Sequence, residues 1–267
     1  MKKRLISFLV ATVAAVSLVV PSAIAADLTD VGFLDQAQLA SLPVFQRAQG
    51  QLAQYQSQLR SQYDGQYRAA KTDADKQRVA MAYQQAMSDK QRELIGPLYA
   101  RAQMAIANVA DSKHLSIVVD KRIVVYGGQD ITKDVISLVT SSKAITPPAT
   151  AAPSSEIGFV DQTALETAQK VKDAADQLAK YQADQQKVYG EKLKGVKGDV
   201  EKQQIIADYN KAMQDKRNQL LTPLIDQTKS ATQTIAKSKN LLLVIDRADV
   251  VYGGTDITQD VQNALGK

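Results

Sequence analysis

Apolar residues are distributed along this chain in two alternating regimes. Short runs such as Val31-Gly32-Phe33-Leu34, Val118-Val119 and Ile123-Val124-Val125 have the length and β-branching of strands, whereas the long stretches between them carry an apolar residue only every third or fourth position. On the first long stretch Leu52, Tyr55, Leu59, Tyr63 and Tyr67 form one narrow stripe, with Gln, Ser and Arg on the other faces. The spacing predicts a helix from Val44 to about Ala70, opened by Pro43 and opposed only by Gly50 and Gly65. Lys71-Thr72-Asp73-Ala74-Asp75 breaks the pattern with turn and N-cap residues. A second helix then runs from about Lys76 through Val79, Tyr83, Met87 and Leu94, and so short a connection makes the two helices antiparallel. Pro97 is expected to kink or divide the returning helix, because proline lacks the amide hydrogen and its ring crowds the preceding turn. Beyond it Leu98, Ala102, Ala105, Ile106 and Val109 give a denser apolar face, leading through Asp111-Ser112-Lys113-His114 into the second strand run.

The pattern then returns. Val118-Val119-Asp120 through Val124-Val125-Tyr126-Gly127-Gly128 and Asp130-Ile131-Thr132 reappears as Val244-Ile245-Asp246 through Val250-Val251-Tyr252-Gly253-Gly254 and Asp256-Ile257-Thr258. The same offset of about 126 residues joins Gly32-Phe33-Leu34-Asp35 to Gly158-Phe159-Val160-Asp161. Each copy reads as a strand, a charged turn, a second strand, a Gly-Gly exit and a helix capped by Asp130 or Thr132, or by their counterparts. The reading is α+β: two tandem modules, residues 29–140 and 156–267, each a small antiparallel β body with a long helical hairpin and a short C-terminal helix. Residues 141–155, rich in Pro, Ala, Ser and Thr, are read as the linker. So small a β body offers little surface to bury, which favours self-association through sheet edges or helix bases.

Composition narrows the function. With no Cys or Trp and only four Phe, the chain has neither a disulfide framework nor the material for a large aromatic core. Lys2-Lys3-Arg4, the apolar run Leu5–Val20 and Ala23-Ile24-Ala25 have the form of a cleaved secretory signal at residues 1–25, which points to the periplasm. Its loss removes three of the formal charges behind the value of +5, so the exported chain is only mildly basic and nucleic-acid binding finds no support.

Over both modules the sequence resembles the Skp/OmpH family of periplasmic chaperones. The resemblance is carried by Gly32-Phe33-Leu34-Asp35, by the run Pro97-Leu98-Tyr99-Ala100-Arg101-Ala102-Gln103-Met104 into Leu115-Ser116-Ile117-Val118-Val119-Asp120, and by Tyr126 with Asp130-Ile131-Thr132 and Val135. Module 2 closes on the corresponding Tyr252, Asp256-Ile257-Thr258 and Val261. The resemblance implies a trimer with a shared β-barrel body, and helical hairpins around a cavity that holds unfolded outer-membrane proteins without nucleotide. Members usually carry one such domain, so two in one chain leaves open which modules assemble with which.

Candidate chemistry is sparse. Asp35, Asp120, Asp161 and Asp246 end strands and are read as turn or capping residues, and His114, the single histidine, faces no partner set for a triad or zinc. Gly127-Gly128 lacks the Lys-Ser/Thr of a phosphate loop. No enzyme activity, cofactor or metal is expected. The tyrosine stripe is read as the hairpin seam, with client gripping as the alternative near the tip. Arg60, Tyr63, Tyr67 and Lys71 on the first hairpin, and Lys187, Tyr189, Lys192 and Lys194 on the second, are the candidate client-binding residues. The basic side chains among them could also meet anionic lipid or lipopolysaccharide. The expectation is an ATP-independent periplasmic holdase for unfolded outer-membrane or envelope proteins, working as a homo-oligomer or through intramolecular module pairing. Its rival is a structural envelope spacer or tether with coiled-coil-like modules and no client.

Overall fold

The computed structural model describes residues 28–266, so the signal segment read at residues 1–25 lies outside the described residues. The chain is mixed α and β, mostly helical, with long helices and small sheets. It divides into two units. The N-terminal unit extends to Pro153 and also takes in Val251–Gly253; the C-terminal unit comprises Ser154–Val250 and the stretch from Gly254.

In the N-terminal unit β1 (Val31–Leu34) leads into a short helix, α1 (Gln36–Ala40). The Asp35 side chain caps α1 by accepting from the Gln38 amide, which holds its carboxyl below the usual range. Pro43 then opens α2 (Pro43–Ala69) at a position where its missing amide costs nothing. Thr72 caps α3 (Asp73–Ser112) through the Asp75 amide, with Asp73 and Asp75 in the first turn complementing the helix dipole. Contacts between α2 and α3 run in opposite senses from base to tip: Phe45 meets Tyr99, Tyr55 lies under Lys90, and Tyr63 meets Tyr83. The hairpin is therefore antiparallel. Pro97 does not divide the returning helix, which runs unbroken for 40 residues.

The end of α3 is a Schellman closure. Leu115 donates to the Ala110 carbonyl and His114 to that of Asp111, with His114 in the left-handed region at φ 55°. That is the role of the single histidine, and Asn240, also at φ 55°, ends the equivalent helix of the C-terminal unit. Leu115, fully buried, seats the turn on the core and sends the chain into β2 (Ile117–Asp120).

The sheet corrects the antiparallel expectation. β1 pairs with β2 in parallel, Val31 opposite Ile117 and Leu34 opposite Asp120, and β3 (Gln129–Asp130) pairs in parallel on the other side of β1. The physical reason is the hairpin itself: it carries the chain out and back to the same end of the body, so β2 is entered in the direction of β1, with two helices as the crossover. Nor does the charged turn close a local β-hairpin. Asp120 caps a 3-10 turn at Lys121–Ile123, after which Val124 is extended but unpaired. The fourth strand of this sheet is β6 (Val250–Gly253), giving the order β3-β1-β2-β6.

The core lies where the sheet, the base of α3 and α4 (Thr132–Thr140) meet, and includes Leu34, Ala105, Val109, Ile131 and Val135. Asp130 accepts the Thr132 amide at the start of α4, while the Thr132 hydroxyl accepts the Asp35 amide, tying the last helix to the first strand. Residues read as linker are bonded along α3: Asn108 donates to the Thr146 carbonyl, and Thr150 to Asp111.

The C-terminal unit contains β4 (Ile157–Val160), α5 (Gln162–Leu165), α6 (Gln169–Lys194), α7 (Asp199–Ser238), β5 (Leu243–Asp246), β7 (Thr255–Asp256) and α8 (Thr258–Gly266). Its strands are again parallel, in the order β5-β4-β7, with Ile157 opposite Leu243 and Val160 opposite Asp246. Pro223 lies inside an unbroken α7. Val160, Ala236, Leu241, Ile257 and Val261 form its core.

Candidate functional site

The hairpins present the candidate residues. On α2 the tyrosine stripe turns gradually outward: Leu59 is buried, Tyr55 and Tyr63 are half-buried, and Tyr67 is 48% exposed. Tyr63 meets Tyr83 edge to face, ring centroids 5.8 Å apart, so it belongs to the seam between the helices. Arg60 lies 4.0 Å from Asp64 one turn along, both exposed, a geometry that contributes little to stability. Lys71, in the connection at the tip, is exposed. These four residues thus lie along one hairpin end, and Tyr63 is engaged with the opposite helix.

On α6 the residues are drawn closer together. Tyr189 meets Tyr209 across the hairpin at 5.6 Å, and the Lys192 ammonium sits over the Tyr189 ring at 4.5 Å. A cation placed there is attracted by the ring quadrupole and is held near the hairpin end. Lys194 pairs with Glu191, and Lys187 is exposed. Beside Tyr189 an open recess of about 240 Å³ is lined by Leu193, Ile205, Ile206 and Tyr209. Ile206 is 49% exposed, and Val188 and Val200 are also open to solvent. An extended, mostly polar surface with small apolar recesses and scattered lysines can hold a flexible chain by many weak contacts.

Sequence reasoning missed Ile205 and Ile206, whose i and i+1 placement does not register as part of a narrow seam. It also missed the task of Arg101. From α3 the Arg101 guanidinium donates to the carbonyls of Leu138, Val139, Ser141 and Lys143, gathering the free end of α4 onto the base of the hairpin. No local spacing could have signalled contacts made across about 40 residues.

The stretch from Phe45 to Val139 contains the whole α2–α3 hairpin beyond its first turns, β2, β3 and nearly all of α4. Residues 45–139 match the family of outer membrane proteins described as OmpH-like. The matched stretch therefore coincides with the N-terminal hairpin and with much of the body to which it returns. No curated protein and no solved structure matches the chain. Among the described residues no helix is long and apolar enough to cross a membrane.

Proposed function

We propose that this chain is a periplasmic, ATP-independent holdase that carries two tandem OmpH-like modules and keeps unfolded outer-membrane or envelope proteins from aggregating. The observation that carries the reading is the OmpH-like match over the N-terminal hairpin, since that family is generally one of periplasmic chaperones. The second module rests on the recurrence of the strand, turn and capping residues about 126 positions on. A client would lie along the hairpins, touching half-exposed apolar groups such as Tyr67, Val188 and Ile206, while Lys71, Lys187 and Lys192 supply diffuse positive charge. Such a surface holds without a tight pocket, and release follows when the client finds a better place to fold. No chemical step is involved.

The test is aggregation. An outer-membrane β-barrel protein diluted from urea should stay clear in the presence of this chain at near-stoichiometric amounts, without nucleotide. Charge-removing variants at Lys187, Lys192 and Lys194 should weaken protection most at low ionic strength. Turbidity unchanged by the chain would overturn the holdase reading and favour a spacer between envelope layers.

A further inference from the structure

The two hairpin tips are built on the same aromatic pair and surrounded differently. Tyr63 meets Tyr83 and Tyr189 meets Tyr209, at ring separations of 5.8 and 5.6 Å and the same 71° inclination. The pairs correspond at the offset of about 126 residues. Beside the first pair stand Arg60 and Asp64, an exposed ion pair, and Ala80. The counterparts of these three beside the second pair are Gln186, Gly190 and Ile206. Val79 likewise corresponds to the larger Ile205, and Gln62 to Val188. The second tip thus has aliphatic groups and no ion pair where the first has charge.

The recess of about 240 Å³ described above lies at this place, lined by both tyrosines, Gly190, Leu193, Ile205 and Ile206. A Cβ on Gly190 would meet nothing within 4 Å, so the glycine leaves its side of the recess open. Covering the half-exposed Ile206 removes apolar surface from water, whereas the same cover at the first tip would strip water from Arg60 and Asp64. The volume is below the roughly 300–1,000 Å³ of pockets that enclose a whole small molecule, and suits a single bulky side chain. Charge narrows the choice further. The Lys192 ammonium stands 4.5 Å over the Tyr189 ring and Lys187 is exposed on the same helix, where the first hairpin has Gln66 and Ser61. Glu191 is engaged by Lys194, and among the described residues neither Lys187 nor Lys192 forms an ion pair.

We propose that this recess is a side-chain grip: it takes one bulky apolar side chain of an unfolded polypeptide segment whose neighbouring residue is acidic, with the carboxylate meeting Lys192 or Lys187. Gly190 and Ile206 set its specificity, and the first tip, with Asp64 and Ala80 at those positions, has no such grip. The two hairpins therefore do different work, the second selecting acidic-apolar segments and the first contributing diffuse contact. This inference rests on the holdase reading for its class of ligand and goes beyond it in naming the segment and the hairpin.

The test uses the full chain and a labelled, unstructured Gly/Ser peptide with a central Asp-Leu-Asp, followed by fluorescence anisotropy. Binding should weaken about tenfold in Ile206→Ala, which removes apolar carbon from the recess, and in Gly190→Asp, which puts a carboxylate into it. Both variants should keep their helical circular dichroism, since Ala and Asp suit a helix interior at least as well as the residues they replace. Val79→Ala, the corresponding truncation at the first tip, should leave the affinity unchanged. Lys192→Gln should weaken the Asp-Leu-Asp peptide and not its Asn-Leu-Asn analogue. A peptide that does not bind, binding indifferent to Gly190→Asp and Ile206→Ala, or an equal loss in Val79→Ala would each overturn the proposal. So would phosphatidylglycerol vesicles that bind in an Ile206-dependent way while the peptide stays free, which would give the recess to lipid. Turbidity of an outer-membrane protein diluted from urea, read on the same samples, separates the two readings: protection without peptide binding sinks the grip alone, and absence of protection sinks the holdase reading.

Discussion

At the scale of single residues, three positions show how this fold is kept together without a large core. Arg101 binds four carbonyls around the end of α4, so Arg101→Gln, the residue found at the equivalent position 227, should destabilise the N-terminal unit. Charged hydrogen bonds of this kind lead us to expect a loss of about 1.5–3 kcal/mol in urea unfolding, with the C-terminal unit unaffected. Tyr252 is half-buried; desolvation raises its phenol pKa, and the carboxylate of Asp111 adds to the shift. Because the folded value is raised, its contribution is complete below the ordinary tyrosine range, about pH 10, and is lost as pH rises through and beyond it. Stability measured across that alkaline range should fall more steeply in the unaltered chain than in Tyr252→Phe; equal slopes would show that Tyr252 is not the group responsible. Gly253 combines a φ of +68° with a position where a Cβ would overlap the Ser116 carbonyl oxygen. Gly253→Ala should therefore cost about 1–3 kcal/mol and release β6 from its sheet.

At the scale of elements, the hairpins were largely legible and the sheets were not. The stripe of Leu52, Tyr55, Leu59 and Tyr63 implied a helix with one partner, and the residues Lys71–Asp75 implied a tight reversal; α2 and α3 follow both. Thr72, Asp35 and Asp161 act as caps because their chemistry is local and so is its signal. Strand direction is not local. Two β-branched runs separated by a charged turn look like a β-hairpin, but β2 finds its partner in β1, some 85 residues earlier, and the second run separates from it. The candidate site was partly legible for the same reason: periodicity found the tyrosines, while the degree to which each faces solvent depends on how the opposite helix covers it. Tyr63 and Tyr83 give the check. A double-mutant cycle to Leu should return a coupling of about 0.5–1.5 kcal/mol, the contribution of an edge-to-face pair beyond its buried area. A Tyr63→Leu variant that loses client protection with no coupling to Tyr83 would instead mark Tyr63 as a gripping residue.

At the scale of the whole molecule, the chain spends most of its length on hairpins with narrow seams and exposed polar faces, anchored in two small sheets. On the holdase reading proposed above, these faces would meet a flexible partner through many weak contacts. Stability resides in the bodies, around Leu34, Ile131 and Val135 and around Ile257 and Val261, which leaves the hairpin surfaces free to vary in polarity. The most direct measurement is the molar mass of the chain by light scattering, alone and after an unfolded outer-membrane protein is diluted into it from urea without nucleotide. A soluble complex of defined mass, containing client that would otherwise precipitate, is the result expected of a holdase. A chain whose mass is unchanged while the client precipitates would contradict it.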